Sequence, residues 1–209
     1  NDEKNKNAIA EVVKNHPLCV LITRKKNGGK GKALADGVRK ADELGLTHVL
    51  QIDSDGQHDA ARVGHFVEVS KKNPDAIICA YPEYDESAPK HRVNGRTIAN
   101  AWIHTVTLSK QIKDGMIGFR IYPVAPYVKL LNSHAIIDAR MGYDIDILVR
   151  LFWKNVPVIC ESVKVTYPVD GVSNFRVVRD NARISLTYAR LFLGMIVRLP
   201  ILIFRKIKG

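Results

Sequence analysis

The chain has 209 residues, 46% of them hydrophobic and 25% charged, and a formal net charge of +11. That length gives one domain a sizeable core, and the ordinary apolar content excludes a disordered chain. The positive charge points to anionic partners: nucleotide phosphates, a phospholipid surface or nucleic acid.

Ala8, Ile9, Val12 and Val13 have helical spacing, and Pro17 stops that helix. Residues 18–23 predict a buried strand, followed by a basic, glycine-bearing loop over 24–32. Leu34, Val38, Ala41 and Leu44 form the inner face of the next helix, which Gly45 ends. Residues 47–52 are mostly β-branched or apolar and predict a second buried strand. Asp59 suits the N-cap of a helix carrying Val63, Phe66, Val67 and Ser70, and residues 75–80 are another strand. This alternation predicts an α/β fold, a parallel sheet with helices on both faces. Pro82, Pro89 and Asn94-Gly95 interrupt residues 81–96, which predicts a long mobile loop of the kind that closes over substrates. Residues 98–108 then form a helix with Trp102 and Val106 inward. A further helix opens near Tyr143 with Ile145, Leu148, Val149 and Phe152 inward, and residues 156–167 are a strand. Cys19, Cys79 and Cys160 all lie in apolar strand-like runs. They are expected to be core thiols, in keeping with a reducing cytosol, and no His/Cys cluster has zinc spacing.

The strand over 47–52 runs straight into Asp53-Ser54-Asp55-Gly56-Gln57-His58. Ligands of open α/β sheets lie beyond the carboxyl ends of the strands. Asp53 and Asp55 are two apart and point the same way in extended chain, and Gln57 can fold back after Gly56. Two carboxylates and an amide oxygen are hard ligands suited to Mg2+ or Mn2+ that also holds a diphosphate. A turn-and-cap role for the two acids remains open. A calcium loop fails on spacing, because His58 and Gly64 stand where a glycine and a glutamate are required.

The six-residue segment resembles the aspartate-any-aspartate element of family 2 glycosyltransferases, closest to the dolichyl-phosphate mannosyltransferase-like branch. The resemblance implies the nucleotide-diphosphosugar transferase (GT-A) fold with a mostly parallel sheet, and a metal held by Asp53, Asp55 and Gln57. It also implies two strands ahead of the first helix, so the sheet is expected to lack its N-terminal strands here. Asp2 would be a remnant of the acidic turn that follows them. Residues 27–33 resemble the family's Asn-x-Gly-Lys-Gly-x-Ala element beside the nucleotide, which implicates Asn27, Lys30 and Gly31. Glycines, a following helix N-terminus and lysines suit that task, although a solvated basic turn reads equally from the residues. It is not a Walker A loop, because no glycine lies five before Gly31 and Lys32 precedes alanine.

Residues 114–122 resemble the acceptor-side segment Asp-x-x-x-Gly-Phe-Arg-x-Tyr. The resemblance implies Asp114 in acceptor activation and Arg120 near phosphate, with a turn cap and a strand-face residue as the alternative from the residues alone. Arg92 and Arg96 of the loop over 81–96 could hold phosphates or be simply solvated. Family members often carry acids, in some the base, where Asp144 and Asp146 stand. These two compete with Asp114, and acids in a first helical turn also simply satisfy the helix dipole. Residues 167–175 resemble a Tyr-Pro-x-Asp-Gly-x-Ser-His-Phe turn, with Asn174 in place of the histidine.

The tail divides the chain into a transferase domain over 1–176 and an amphipathic helix over 177–209. Arg190 and Arg198 interrupt its apolar residues, so no run approaches the ~20 needed to span a bilayer. Pro200 should kink it, and Arg205, Lys206 and Lys208 end it. Such a helix fits lying in an anionic membrane interface at the cytoplasmic face, with a core or dimer helix as the alternative.

The expected activity is an inverting, metal-dependent transfer of a sugar from a UDP- or GDP-linked donor to a lipid or lipid-linked acceptor. Asp114, Asp144 or Asp146 would deprotonate an acceptor hydroxyl; an acceptor phosphate would need no base. A nucleotidyltransferase on a similar sheet and a non-catalytic nucleotide-sugar-binding module remain alternatives, and a homo-oligomer is open. No aromatic-basic stacking or helix-turn-helix pattern supports a nucleic-acid partner.

Overall fold

The computed structural model describes residues 3–53, 56–84, 90–165 and 177–208. Asp2, Asp55 and the turn containing Asn174 lie outside the described residues, as does the side chain of Arg92.

Helix α1 (Glu3–Lys14) precedes α2 (Lys30–Glu43) and strand β1 (His48–Gln51). Asp59 accepts a hydrogen bond from Ala61 N and starts a 3-10 turn (Ala60–Arg62) that leads into α3 (Val63–Lys72). Then follow β2 (Ile77–Tyr84), α4 (Lys90–Thr107), β3 (Arg120–Pro123), α5 (Val124–Leu131), α6 (Tyr143–Trp153), β4 (Val158–Val165) and α7 (Val177–Lys208). The sheet order is β1-β3-β2-β4. β2 and β4 are parallel over their full length, whereas β3 is antiparallel to both β1 and β2. So β1, β2 and β4 run one way, as expected, and β3 is the reversed strand among them.

Both faces of the sheet are covered. Ile77 and Cys79 point into a core shared with α2, α4, α5, α6 and α7, while Ile78 and Ala80 pack beside Phe66 of α3. That alternation is the two-residue period of a strand buried on both sides.

Four expectations change. Residues 18–23 form no strand: Leu18 is 97% exposed, and Val20, Leu21 and Ile22 are exposed too. Apolar composition does not make a strand where no neighbouring strand among the described residues pairs with it; Cys19 N donates instead to His16 O at 2.9 Å. Cys19 is therefore exposed and Cys160 only partly buried; Cys79 alone is a core thiol. The loop expected over 81–96 gives way to regular structure at both ends, because pairing with β4 carries β2 through Pro82 to Tyr84 and α4 begins at Lys90. Trp102 stays partly exposed, stacked on Tyr188 and edge-on to Phe192 of α7.

Helix α7 is no detached tail. Ile184, Tyr188, Leu191, Met195 and Leu202 recur at helical spacing and join the main core, and Tyr188 donates to Ala99 O of α4 at 3.0 Å. Arg190 and Arg198, expected to interrupt it, turn toward the domain, Arg190 to Thr187 Oγ1 and Asp138 Oδ2, and so does Arg205 near its end. Arg198 lies over the Trp153 ring at 4.8 Å, and Arg205 donates to Trp153 O. The helix continues through Pro200, and its segment Val178–Ile207 is long and apolar enough to cross a membrane by length and composition. Its other side leaves Leu186, Leu193, Val197 and Ile207 exposed.

Candidate active site

The carboxyl end of β1 delivers Gln51 and Asp53 to one place. Gly118 lies directly against the Asp53 carboxylate, and a Cβ there would overlap it. Opposite them stands Lys30, the first residue of α2. Asn27 shapes the approach by accepting from Gly29 N at 2.9 Å, and Gly29 is the N-cap. Gly31 N donates to Ala139 O at 3.0 Å, with the Tyr143 ring where its side chain would be. The close approach of α2 to α6 thus depends on a glycine at 31.

Lys30 Nζ lies 2.7 Å from Asp53 Oδ1 and 2.8 Å from Asp144 Oδ2. Burial pulls its pKa down, but Asp144 and Asp53 together outweigh that and hold it above the usual lysine value. Gln51 Nε2 donates to Asp144 Oδ1 at 2.8 Å, and Arg120 Nη1 donates to Asp144 O at 2.8 Å. Asp144, at the start of α6, is therefore held from α2, β1 and β3 together.

Arg120 is not positioned to meet a phosphate. It is wholly buried, and its Nη1 also donates to the Tyr122 hydroxyl at 3.0 Å. Burial disfavours its charge, yet Tyr122, Cys79 and Asp144 together keep it firmly protonated. It is an internal cation beneath the site.

Asp146 is not beside Asp144. Two residues on a helix are about 200° apart, so one acid of the pair must face away. Asp146 pairs with Arg150 and accepts from Asp138 N at 2.8 Å, fully buried, and so ties down the loop before α6. Burial raises its pKa above the usual carboxylate range, although Arg150 and the Asp138 N–H pull the other way. Its two carboxylate oxygens are thus engaged by Arg150 and the Asp138 N–H, away from Lys30 and Asp53.

Asp114 forms a second centre. Its Oδ1 accepts from Met116 N at 2.9 Å and Ile117 N at 2.8 Å, and its Oδ2 faces Arg96 Nε at 3.3 Å. Asp114 and Arg96, with Tyr81, Asn100 and Lys113, line a cleft of about 120 Å3. Lys113 Nζ sits 4.2 Å above the Tyr81 ring. Arg96 thus reaches Asp114 from a helix, not from a loop. The segment running from Asp114 to Gly118 links this cleft to Asp53.

For a metal, the described residues offer two converging carboxylates, Asp53 and Asp144, which already share one cation in Lys30. No third acid, imidazole or thiol joins them among the described residues. Hard oxygens that hold a cation in common fit Mg2+ or Mn2+. Gln57 is partly buried in the segment that bridges from His58 to Val165 of β4. Sequence reasoning missed Gln51, and had Gly118 only as the glycine of the segment over 114–122. An amide at the carboxyl end of β1, two residues before Asp53, was the available signal for Gln51.

A family model described as glycosyl transferase family 2 matches residues 1–132. No curated protein matches the chain. Among solved structures it is similar to glucosyl-3-phosphoglycerate synthase from Mycobacterium tuberculosis in complex with Mn2+ and uridine-diphosphate-glucose, with a TM-score of 0.60 and 14% identity over 93% of this chain and 64% of that one. The same enzyme in complex with phosphoglyceric acid gives a TM-score of 0.57 and 15% identity, over 91% of this chain and 65% of that one. At these identities the likeness is one of fold. The chain spans under two thirds of the length of those structures.

Proposed function

The chain belongs to glycosyl transferase family 2, and from that premise we propose that it moves a sugar from a UDP- or GDP-linked donor to an acceptor at a membrane surface. The observation that carries this reading is the pair Asp53–Asp144 sharing a cation at the carboxyl end of β1. That is where an α/β sheet binds its ligand. A solved structure of similar fold is a complex with Mn2+ and a uridine-diphosphate sugar, which supports the same type of donor here.

Asp53 and Asp144, with Asp55 of the same segment, would hold Mg2+ or Mn2+, and that ion would neutralise charge on the departing diphosphate. Lys30 adds a second positive charge beside it, at the N-terminus of α2 where backbone N–H groups favour anions. Asp114 lines the acceptor cleft with Arg96 and Lys113, so an acceptor bearing phosphate or carboxylate suits it. Asp114 takes the proton of an acceptor hydroxyl in an in-line displacement that inverts the anomeric carbon.

The outer side of α7 supports a membrane-proximal acceptor. At about 100° per residue, Leu186, Leu193, Ile196 and Ile207, all exposed, fall in one sector, and Arg179 and Arg183 fall in the sector beside it. An apolar strip edged by cations suits the headgroup boundary of an anionic bilayer. A cytoplasmic, membrane-peripheral location follows from this reading.

The test uses labelled UDP- and GDP-sugars with a membrane lipid extract. Label is expected in the lipid phase with the native protein and to fall by about 100-fold or more in Asp114→Asn. Label that enters only water-soluble products would remove the lipid acceptor from the proposal.

A further inference from the structure

Asp53 and Asp144 arrive from different elements, yet one nitrogen lies within 2.8 Å of both. Two carboxylates sharing a site repel unless a cation stands between them. In this chain the cation is built in. Asp144 is also fixed by Gln51 and Arg120, and Asp53 lies directly against Gly118. Lys30 is the member of the three with freedom to leave. Its ammonium rides on a flexible four-carbon stem, and its side chain is 31% exposed.

We propose that Lys30 is a resident counter-ion that closes the Asp53–Asp144 pair to divalent metal until a nucleotide diphosphate draws its ammonium away. This rests on the donor-site reading above and adds the order of events to it. An ammonium between the carboxylates occupies the place, and repels the charge, of an incoming dication. A diphosphate at the N-terminus of α2 gives Lys30 another anion to bind within reach of its stem, and the acids are released together. Metal and nucleotide then favour each other's binding by the same factor, as linkage requires.

Removing the ammonium should move two affinities in opposite directions. Lys30→Met opens the acids, so metal alone binds more tightly; it also removes a diphosphate contact, so nucleotide alone binds more weakly. A merely structural defect would weaken both. Lys30→Arg keeps the charge and keeps metal out.

The experiment titrates Mn2+ into the native chain, Lys30→Met and Lys30→Arg, reading free Mn2+ by electron paramagnetic resonance, with and without UDP or GDP. Circular dichroism checks folding, and Lys30→Gln replaces Lys30→Met if the latter does not fold. For the native chain, Mn2+ is expected to bind on the order of tenfold more tightly with the diphosphate present. For the neutral variant, Mn2+ alone should bind about tenfold more tightly than to the native chain, with little further gain from nucleotide. Lys30→Arg should behave as native. A neutral variant that binds Mn2+ alone no more tightly than the native chain, with nucleotide-dependent Mn2+ binding retained, overturns the counter-ion role and leaves the donor-site reading standing. A native chain that binds neither nucleotide, with or without Mn2+, overturns both.

Discussion

Asp144 owes its position to three neighbours, and Asp53 to the absence of a fourth. Lys30, Gln51 and Arg120 hold the first; the bare backbone of Gly118 leaves space for the second. Gly118→Ala would push a methyl group into the Asp53 carboxylate. It should cost about 1–3 kcal/mol of stability and abolish Mn2+-dependent nucleotide binding, read by urea unfolding and calorimetric titration. Asp146→Ala makes a different prediction. It leaves the Arg150 guanidinium, 15% exposed, without its carboxylate, and should lower unfolding stability by about 3 kcal/mol. Asp53, Lys30 and Asp144 were legible in the sequence because each sits at an element's end in a patterned stretch. The separation of Asp144 from Asp146 was legible in principle, since a helix turns neighbours two apart to opposite sides. Which of them faced the site was not, because that depends on where β1 and α2 lie. Arg120 misleads for a related reason: a charged residue entering a strand reads as surface, and only the packed sheet shows it enclosed.

At the scale of elements, α7 joins two roles on one cylinder. Leu191 is fully buried, whereas Leu193 and Val197 are 64% and 78% exposed. Leu191→Ala should destabilise the fold by about 2–5 kcal/mol in urea, through lost transfer free energy and a cavity. Replacing Leu193 and Val197 with serine should leave stability within about 0.5 kcal/mol but sharply reduce co-sedimentation with anionic vesicles. Equal sedimentation of native and doubly substituted protein would remove the membrane role of this face. The apolar repeat of α7 was readable from spacing. Its docking was not, because only the position of Trp153 shows why Arg198 and Arg205 turn inward. Residues 18–23 failed in the opposite way. Their composition suits a strand, but a strand is a relation between two segments, and composition names only one of them.

In the molecule as a whole, the alternation of helices and strands conveyed the α/β class, and the segment over 53–58 conveyed the family. The reversed strand β3 escaped, because periodicity carries no direction. The site stands where the directions of β1 and β3 meet: Gln51 is register-paired with Arg120, and both bond to Asp144. Donor binding there is tested by thermal denaturation with UDP or GDP, each with Mn2+ or with a chelator. Ligand at about 100 times its dissociation constant stabilises a fold by about 2.7 kcal/mol, enough for a clear rise in Tm. The account predicts a rise with one of the two nucleotides, dependent on Mn2+ and lost in Asp53→Ala. An unchanged Tm under every condition, or a rise that Asp53→Ala retains in full, would contradict it.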